Sequence, residues 1–525
     1  MTTPPWYRRI SILWAAMLLL PPFGLLLLWL RGSTSILRKI GGTLLVAVLT
    51  GIYLHLFFGL RIELDGTGMV PIFHFHDPDA HYEALIQSRI EQAVDIPAIE
   101  AAPRPAAEKA EDRASPESAA PDAALAAVSE PEPDAPREQE AEWPDFRGPL
   151  RDGVIREPGI RTDWPAEGLP RLWEQPIGGG YASFAIAGGT AFTIEQRRHQ
   201  EVVTAYDVDT GRELWTYAWD AEFREAMGGD GPRATPTWHE GRLYALGATG
   251  LLACLEAATG KPIWSLNILQ DNDAQNLPWG MAASPLIVDD NVIVLPGGPD
   301  GRSVVAYDRI TGNRVWSALD DRQAYVSPMQ VTLAGRRQIL VVSSARAMGL
   351  DPTDGRLLWD FPWPTQHGIN ISQPIVLDEN RFFISAGYGH GAAAVEVTGS
   401  ESEGFQAREL WSNLSMKNKF NSPVLHEGFV YGLDEGILAC VDPGTGERKW
   451  KGGRYGYGQV LLAGDRLIVL TESGDLVLVE ATPEAHREAV RFSAISGKTW
   501  NYPAVAAGRL LVRNAFQMAC FDLRR

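Results

Sequence analysis

An all-β fold, an eight-bladed β-propeller of four-stranded blades, is what two repeated columns of residues and one displaced strand predict. The first column is an eleven-residue stretch, Ala306 to Trp316, with counterparts at 205–215, 254–264, 349–359 and 440–450. In every copy an acid stands eight residues before a Trp, and a Gly stands four before it. Repetition at a fixed period organises a chain more strongly than any local signal. Holding the acid and letting the turn vary adds Glu396 before Trp411, Glu480 with Phe492 in place of a Trp, and Asp522 at the end. The eight acids, Asp207, Glu256, Asp308, Asp351, Glu396, Asp442, Glu480 and Asp522, follow one another at 38 to 52 residues. That interval holds four short strands and their turns.

The second column precedes the first. Thr235-Pro236, Ser284-Pro285, Ser327-Pro328, Gln373-Pro374, Ser422-Pro423 and Tyr502-Pro503 each open an apolar run that turns at Gly or Asp and returns. Proline is tolerated at a first strand residue, where its missing N–H breaks no ladder bond, and paired apolar runs around a short polar turn are hairpins. Each unit therefore reads as hairpin, strand, Thr-Gly turn and Trp-bearing strand. The displaced strand carries Trp173. The last unit stops at Arg525 without its outer strand, and Leu172 to Ile177 resembles such a strand with no unit before it. Supplied to the last blade, it pairs the exposed edge and closes the ring. Trp173, Trp215, Trp264, Trp316, Trp359, Trp411 and Trp450 are then expected to dock between neighbouring blades.

The pattern Ala-x-Asp-x-x-Thr-Gly-x-x-x-Trp resembles the tryptophan-docking motif of the PQQ-like propeller superfamily. The stretch from Trp143 to Pro149, with Asp152-Gly153 after it, is similar to the Trp-Pro-x-x-Arg-Gly-Pro lead-in of membrane-anchored bacterial members. The resemblance spans residues 143–525 and implies the propeller. For function it implies two branches, quinoprotein dehydrogenases and non-catalytic, BamB-like members. It also favours an exported propeller.

A net charge of −18 argues against nucleic acid as a partner. Cys254, Cys440 and Cys520 fall where other repeats have Ala205, Ala306, Gly349 and Ala394, so they read as small buried residues rather than a disulfide framework. Residues 10–30 and 40–60 are two uncharged runs of 21 residues, each long enough to span a bilayer. They predict a two-span hairpin over 1–60 contacting membrane lipid. Arg31, Arg38 and Lys39 between the runs place that loop in the cytoplasm and the propeller outside a bacterial inner membrane. A juxtamembrane segment follows over 61–96, with a helix starting at Asp77-Pro78 and ending about Val94. His74, His76 and His81 lie in it without a metal-ligand spacing. Residues 97–141, rich in Ala, Pro and Glu, read as a disordered linker that holds the propeller (142–525) off the membrane.

Functional residues should break the repeat. The segments before the inner strands do, and they bring Tyr181, Trp279, Tyr325, Asn370, Lys419, Asn421, Arg454, Tyr455, Tyr457, Trp500 and Asn501 towards one end of the central funnel. Aromatics with amides and cations around a mouth suit a planar ligand or a peptide. No catalytic residues or metal ligands are assigned. The dehydrogenase branch implies an adjacent Cys pair, a carboxylate-amide calcium site and a catalytic Asp, and the sequence has neither the Cys pair nor a Cys-x-x-Cys-His haem site. The expected function is a membrane-anchored scaffold or protein-binding module of the cell envelope, without a resident cofactor and with another envelope protein as partner. A dehydrogenase using PQQ with calcium is the alternative.

Overall fold

Strand burial in this chain follows from hydropathy. In the unit around Trp316 the strands Asn291–Val294 and Val304–Asp308 are nearly continuous apolar runs, as suits strands covered on both faces. Outer strands alternate, and Glu213–Asp220 exposes every second residue. The computed structural model describes residues 21–30, 35–58, 60–64, 71–75, 78–94 and 142–525. Eight sheets, here blades 1 to 8, form the ring: 185–220, 237–267, 286–318, 329–362, 375–413, 424–454, 459–493, and 504–522 with Arg171–Pro176. Each has strands in sequential order, except that Arg171–Pro176 joins blade 8 from the other end of the ring. Trp173 stands opposite Cys520 there, so the ring closes as the sequence predicts. Blade 7 gains a fifth strand, Val154–Ile155, parallel to its inner strand.

The repeated motif is a joint between blades. Asp308 accepts from the amide and hydroxyl of Thr311 at 2.7 and 2.8 Å, which fixes the turn, and Gly312 follows at φ +74°. A Cβ on Gly312 would stand 2.8 Å from the Trp264 ring of the preceding blade. Glycine thus supplies both the left-handed backbone and the flat seat. The Trp264 indole donates to the Arg309 carbonyl at 3.2 Å, and Trp173, Trp215, Trp316, Trp411 and Trp450 make the equivalent bond to the next blade. All eight blades carry a register shift at this point, as expected of a bulge that re-aims a side chain.

Two blades depart from the pattern. Trp359 donates to Gln338 within its own blade at 2.5 Å and stacks on Phe382. The next blade offers no Thr-Gly turn there, because Val397 is paired with Ala407 in a long hairpin. In blade 7 the docking register belongs to Val490, opposite Leu478, and not to Phe492. A large residue at 478 leaves no room for an indole, and Phe492 packs on Phe521 and Trp164 instead. The three cysteines are free and fully buried, opposite Trp264, Trp450 and Trp173.

The centre of the ring is plugged by residues 143–155. Arg151, 2% exposed, pairs with Asp145 and donates to the carbonyls of Ser284 and Pro328 at 3.2 and 2.7 Å, and to that of Pro285. Arg147, fully buried, donates to the Pro423 carbonyl at 2.6 Å. Around the plug runs a circle of hydrogen bonds built from the second column. The amide of Ser183 donates to Thr235 Oγ1, that of Thr235 to Ser284 Oγ, then on through Ser327, Gln373 and Ser422, each at 2.8 to 3.0 Å. Ser183 Oγ donates to the Tyr502 carbonyl at 2.7 Å. These hydroxyls and one amide satisfy buried backbone donors that converge where no sheet can pair them.

Before the ring, helix α1 (Pro21–Trp29) and helix α2 (Ile36–Phe58) pack through Leu27, Leu28 and Val46. Lys39 donates to the Trp29 carbonyl at 3.1 Å. Among the described residues one stretch, Ile36–Leu54 in α2, is long and apolar enough to cross a membrane. Residues 10–20 of the first expected span lie outside the described residues, as does the 97–141 linker. Helix α3 (Pro78–Val94) lies on the propeller itself. His81 contacts the Ile177 carbonyl at 2.9 Å, Arg89 donates to the Pro176 carbonyl at 2.7 Å and pairs with Glu213, and Leu85 is buried. The described residues on either side of that linker, α3 and the plug, both contact the ring.

Candidate functional site

The loops that lead into the inner strands gather at one end of the plugged channel. There Tyr181, Trp279, Tyr325, Tyr388, Phe420 and Trp500 line a cavity of about 180 Å³, joined by Met227 and Arg233. Phe146 of the plug, with Ser327, Ser422 and Tyr502 of the circle, closes its inner end. The rings brace one another. Phe420 lies 4.6 Å from Trp500, Trp500 5.6 Å from Tyr181, and Trp279 5.9 Å from Tyr325. Pairs at this spacing contribute about 0.5–1.5 kcal/mol beyond their buried area.

Three cations face these rings. Lys498 stands 4.5 Å from the Trp500 centroid, Lys419 4.5 Å from Tyr388, and Arg233 5.4 Å from Tyr181. Glu472 fixes the Trp500 indole at 2.8 Å and the Tyr457 amide at 3.2 Å. Burial pushes the Tyr325 phenol up to about 12, so it is neutral at neutral pH. Burial also raises the Glu201 carboxyl to about 7, which by itself would suit a general base. Glu201 is fully buried behind the cavity, bonded to the Ala248 amide at 2.7 Å and the Trp219 indole at 2.9 Å. Its role is structural.

Of the residues singled out by sequence, Tyr181, Trp279, Tyr325 and Trp500 line the cavity. Lys419 and Tyr457 support it, with Lys419 4.9 Å from the Tyr457 ring. Asn370, Asn421 and Asn501 are buried braces; Asn501 donates to the Ala182 carbonyl at 3.0 Å and Asn370 to that of Ser343 at 2.9 Å. Arg454 and Tyr455 do not line it. Arg454 is exposed on an outer strand, and Tyr455 is buried against His486 and Glu488. Tyr388, Arg233 and Phe146 were missed, whereas Phe420 falls inside the 418–421 stretch that the sequence directs to the funnel. Tyr388 has a legible signal, an aromatic between Gly387 and Gly389, and it adopts φ +56°. Phe146 has none, because nothing in the plug repeats.

The residues do not match the quinone and calcium set that the resemblance implies. The thiols lie in three different blades, and among the described residues no group of three or more His, Cys, Asp or Glu could hold a metal ion.

Comparison with known proteins agrees with the repeat. The family model described as outer membrane protein assembly factor BamB matches residues 198–452. The BamB of Yersinia pestis is 23% identical over 297 residues, covering 52% of this chain and 72% of that protein. The 1-butanol dehydrogenase (cytochrome c) of Thauera butanivorans is 31% identical over 120 residues, which is 22% of this chain and only 17% of the dehydrogenase. The quinohemoprotein alcohol dehydrogenase ADHIIG of Pseudomonas putida superposes with a TM-score of 0.51 at 13% identity, covering 73% of this chain and 80% of that one. That superposition speaks for the fold alone. With eight blades joined by its motif and a family model matching residues 198–452, the propeller of this chain is similar to those of the PQQ-like repeat family.

Proposed function

We propose that the chain is a membrane-anchored binding module of the cell envelope, whose ring takes a segment of another envelope protein at its aromatic mouth. The observation that carries this is the mouth itself: six rings from separate loops around a closed-bottomed cavity, with three cations against them. Such a surface offers rigid, amphipathic anchors and, among its lining residues, no carboxylate or thiol for chemistry. The resemblance to BamB supports the same reading. The dehydrogenase reading rests on short matches, each covering 22% of this chain, to the butanol dehydrogenase and to quinohemoprotein alcohol dehydrogenases.

A photo-crosslinking residue placed at Met227, compared with one at Glu427 in a turn of the opposite face, tests the proposal in cells. Discrete polypeptide adducts are expected from 227 alone. Trp279→Ala or Trp500→Ala should weaken capture roughly 30-fold, as for an anchor of about 2 kcal/mol, while the ring still melts in one cooperative transition. Equal adducts from both faces would overturn the proposal. Dye reduction on adding PQQ and calcium would establish the dehydrogenase instead.

A further inference from the structure

The polarity of α3 says which way the mouth points. Its first turns touch the mouth side of the ring: His81 meets the Ile177 carbonyl and packs edge-on to Phe516, and Tyr82 donates to the Gln196 carbonyl at 3.3 Å. Ile177 leads directly into Tyr181, and Phe516 and Gln196 sit at or beside the strand-two to strand-three turns on that same face. Eleven residues later Gln92 accepts from the amide of Glu213, just past the Thr-Gly turn at the opposite end of blade 1. At 1.5 Å per residue the helix thus descends about 16 Å away from the mouth face.

The start of α3 is also the end nearest α2. Leu60–Leu64 and Pro71–Phe75 form a hairpin that returns the chain to its origin, with Leu60 opposite Phe75. Two steps from Phe58 to Leu60, one strand spacing and three steps from Phe75 to Pro78 keep the two helix ends within about 25 Å. The mouth edge of the ring is therefore held beside the end of the apolar helix.

We propose that the mouth opens toward the bilayer, and that its ligand is a polypeptide segment leaving the membrane. This rests on the reading of the mouth as a protein-binding site and of α2 as a membrane span. An aromatic, cation-rimmed basin facing a membrane suits a chain that carries apolar side chains out of lipid into water.

Energy transfer from the full chain, reconstituted in vesicles, to headgroup-labelled lipid tests the orientation. Donor dyes go on Arg224→Cys or Leu414→Cys at the mouth, and on Ile310→Cys or Glu427→Cys opposite; the native thiols are buried. The mouth labels should transfer several-fold more strongly. In Arg89→Glu, which sets a second acid against Glu213, that asymmetry should fall while the ring's melting transition stays. Equal or reversed transfer, or an asymmetry untouched by Arg89→Glu, would overturn the orientation, as would a chain that fails to float with the vesicles. The adducts from residue 227 should stay with carbonate-washed membranes. Adducts released by the wash would overturn the membrane-derived ligand and leave the binding reading standing, whereas absence of adducts would overturn both of those and leave the orientation to the transfer data.

Discussion

At the scale of single residues, the repeat holds only side chains that a joint between blades requires. The acid orders a turn, the glycine turns left and lies flat, and the preceding indole covers it. This separates two costs that usually come together. Gly189 and Gly211, both in blade 1, have φ +75° and +68°. A Cβ at 189 meets nothing within 4 Å, whereas one at 211 comes within 2.6 Å of the Trp173 ring. Alanine at either position suffers the left-handed penalty of roughly 1–2 kcal/mol; at 211 overpacking adds about 1–3 kcal/mol. Urea denaturation should rank Gly211→Ala below Gly189→Ala by at least 1 kcal/mol, at the low end of that overpacking range. In a Trp173→Ala background the gap should close. Equal losses for the two glycines in the parent chain would refute the stacking role. The spacing of the motif made this joint legible. It could not reveal that Trp359 turns back to Gln338, because the competing partner lies outside the column.

At the scale of elements, the plug is where sequence reading had least to hold. Arginine is seldom fully buried unless paired, so nothing local marks Arg147 and Arg151 as core residues, and the blade carbonyls they reach lie 133 to 276 residues away. No period connects them. The Ser/Thr-Pro column was visible, but as strand openings; its circle of hydrogen bonds exists only once the strands converge. Arg151 is the keystone of the plug, and Arg151→Ala leaves Asp145 buried without its countercharge. A loss of about 3–5 kcal/mol is expected. Asp145→Asn with Arg151→Met removes both charges and should recover a good part of it. Chemical denaturation of the three proteins decides the matter: a single variant no worse than the double would show that the pair contributes little.

At the scale of the whole molecule, one strand decides whether eight blades make a ring. Sequence reading reached this conclusion because an absence at one end matched a surplus at the other, a relation independent of local propensity. The seam it predicts is held by more than that strand. Arg509 reaches Asp209 at 2.6 Å, and buried Arg513 donates to Thr193 and the Gly178 carbonyl at 2.8 and 2.9 Å. Replacing residues 171–176 by a Gly-Ser stretch of equal length keeps the plug and these polar contacts, yet leaves Gln517–Asp522 as an unpaired edge. An exposed apolar strand edge templates association. The replaced chain should melt at lower temperature and form concentration-dependent oligomers in light scattering. Trp173→Ala, which keeps the pairing and loses only the joint, should melt early but stay monomeric. Oligomers from both variants would trace association to the lost indole, and oligomers from neither would mean that the polar seam closes the ring unaided.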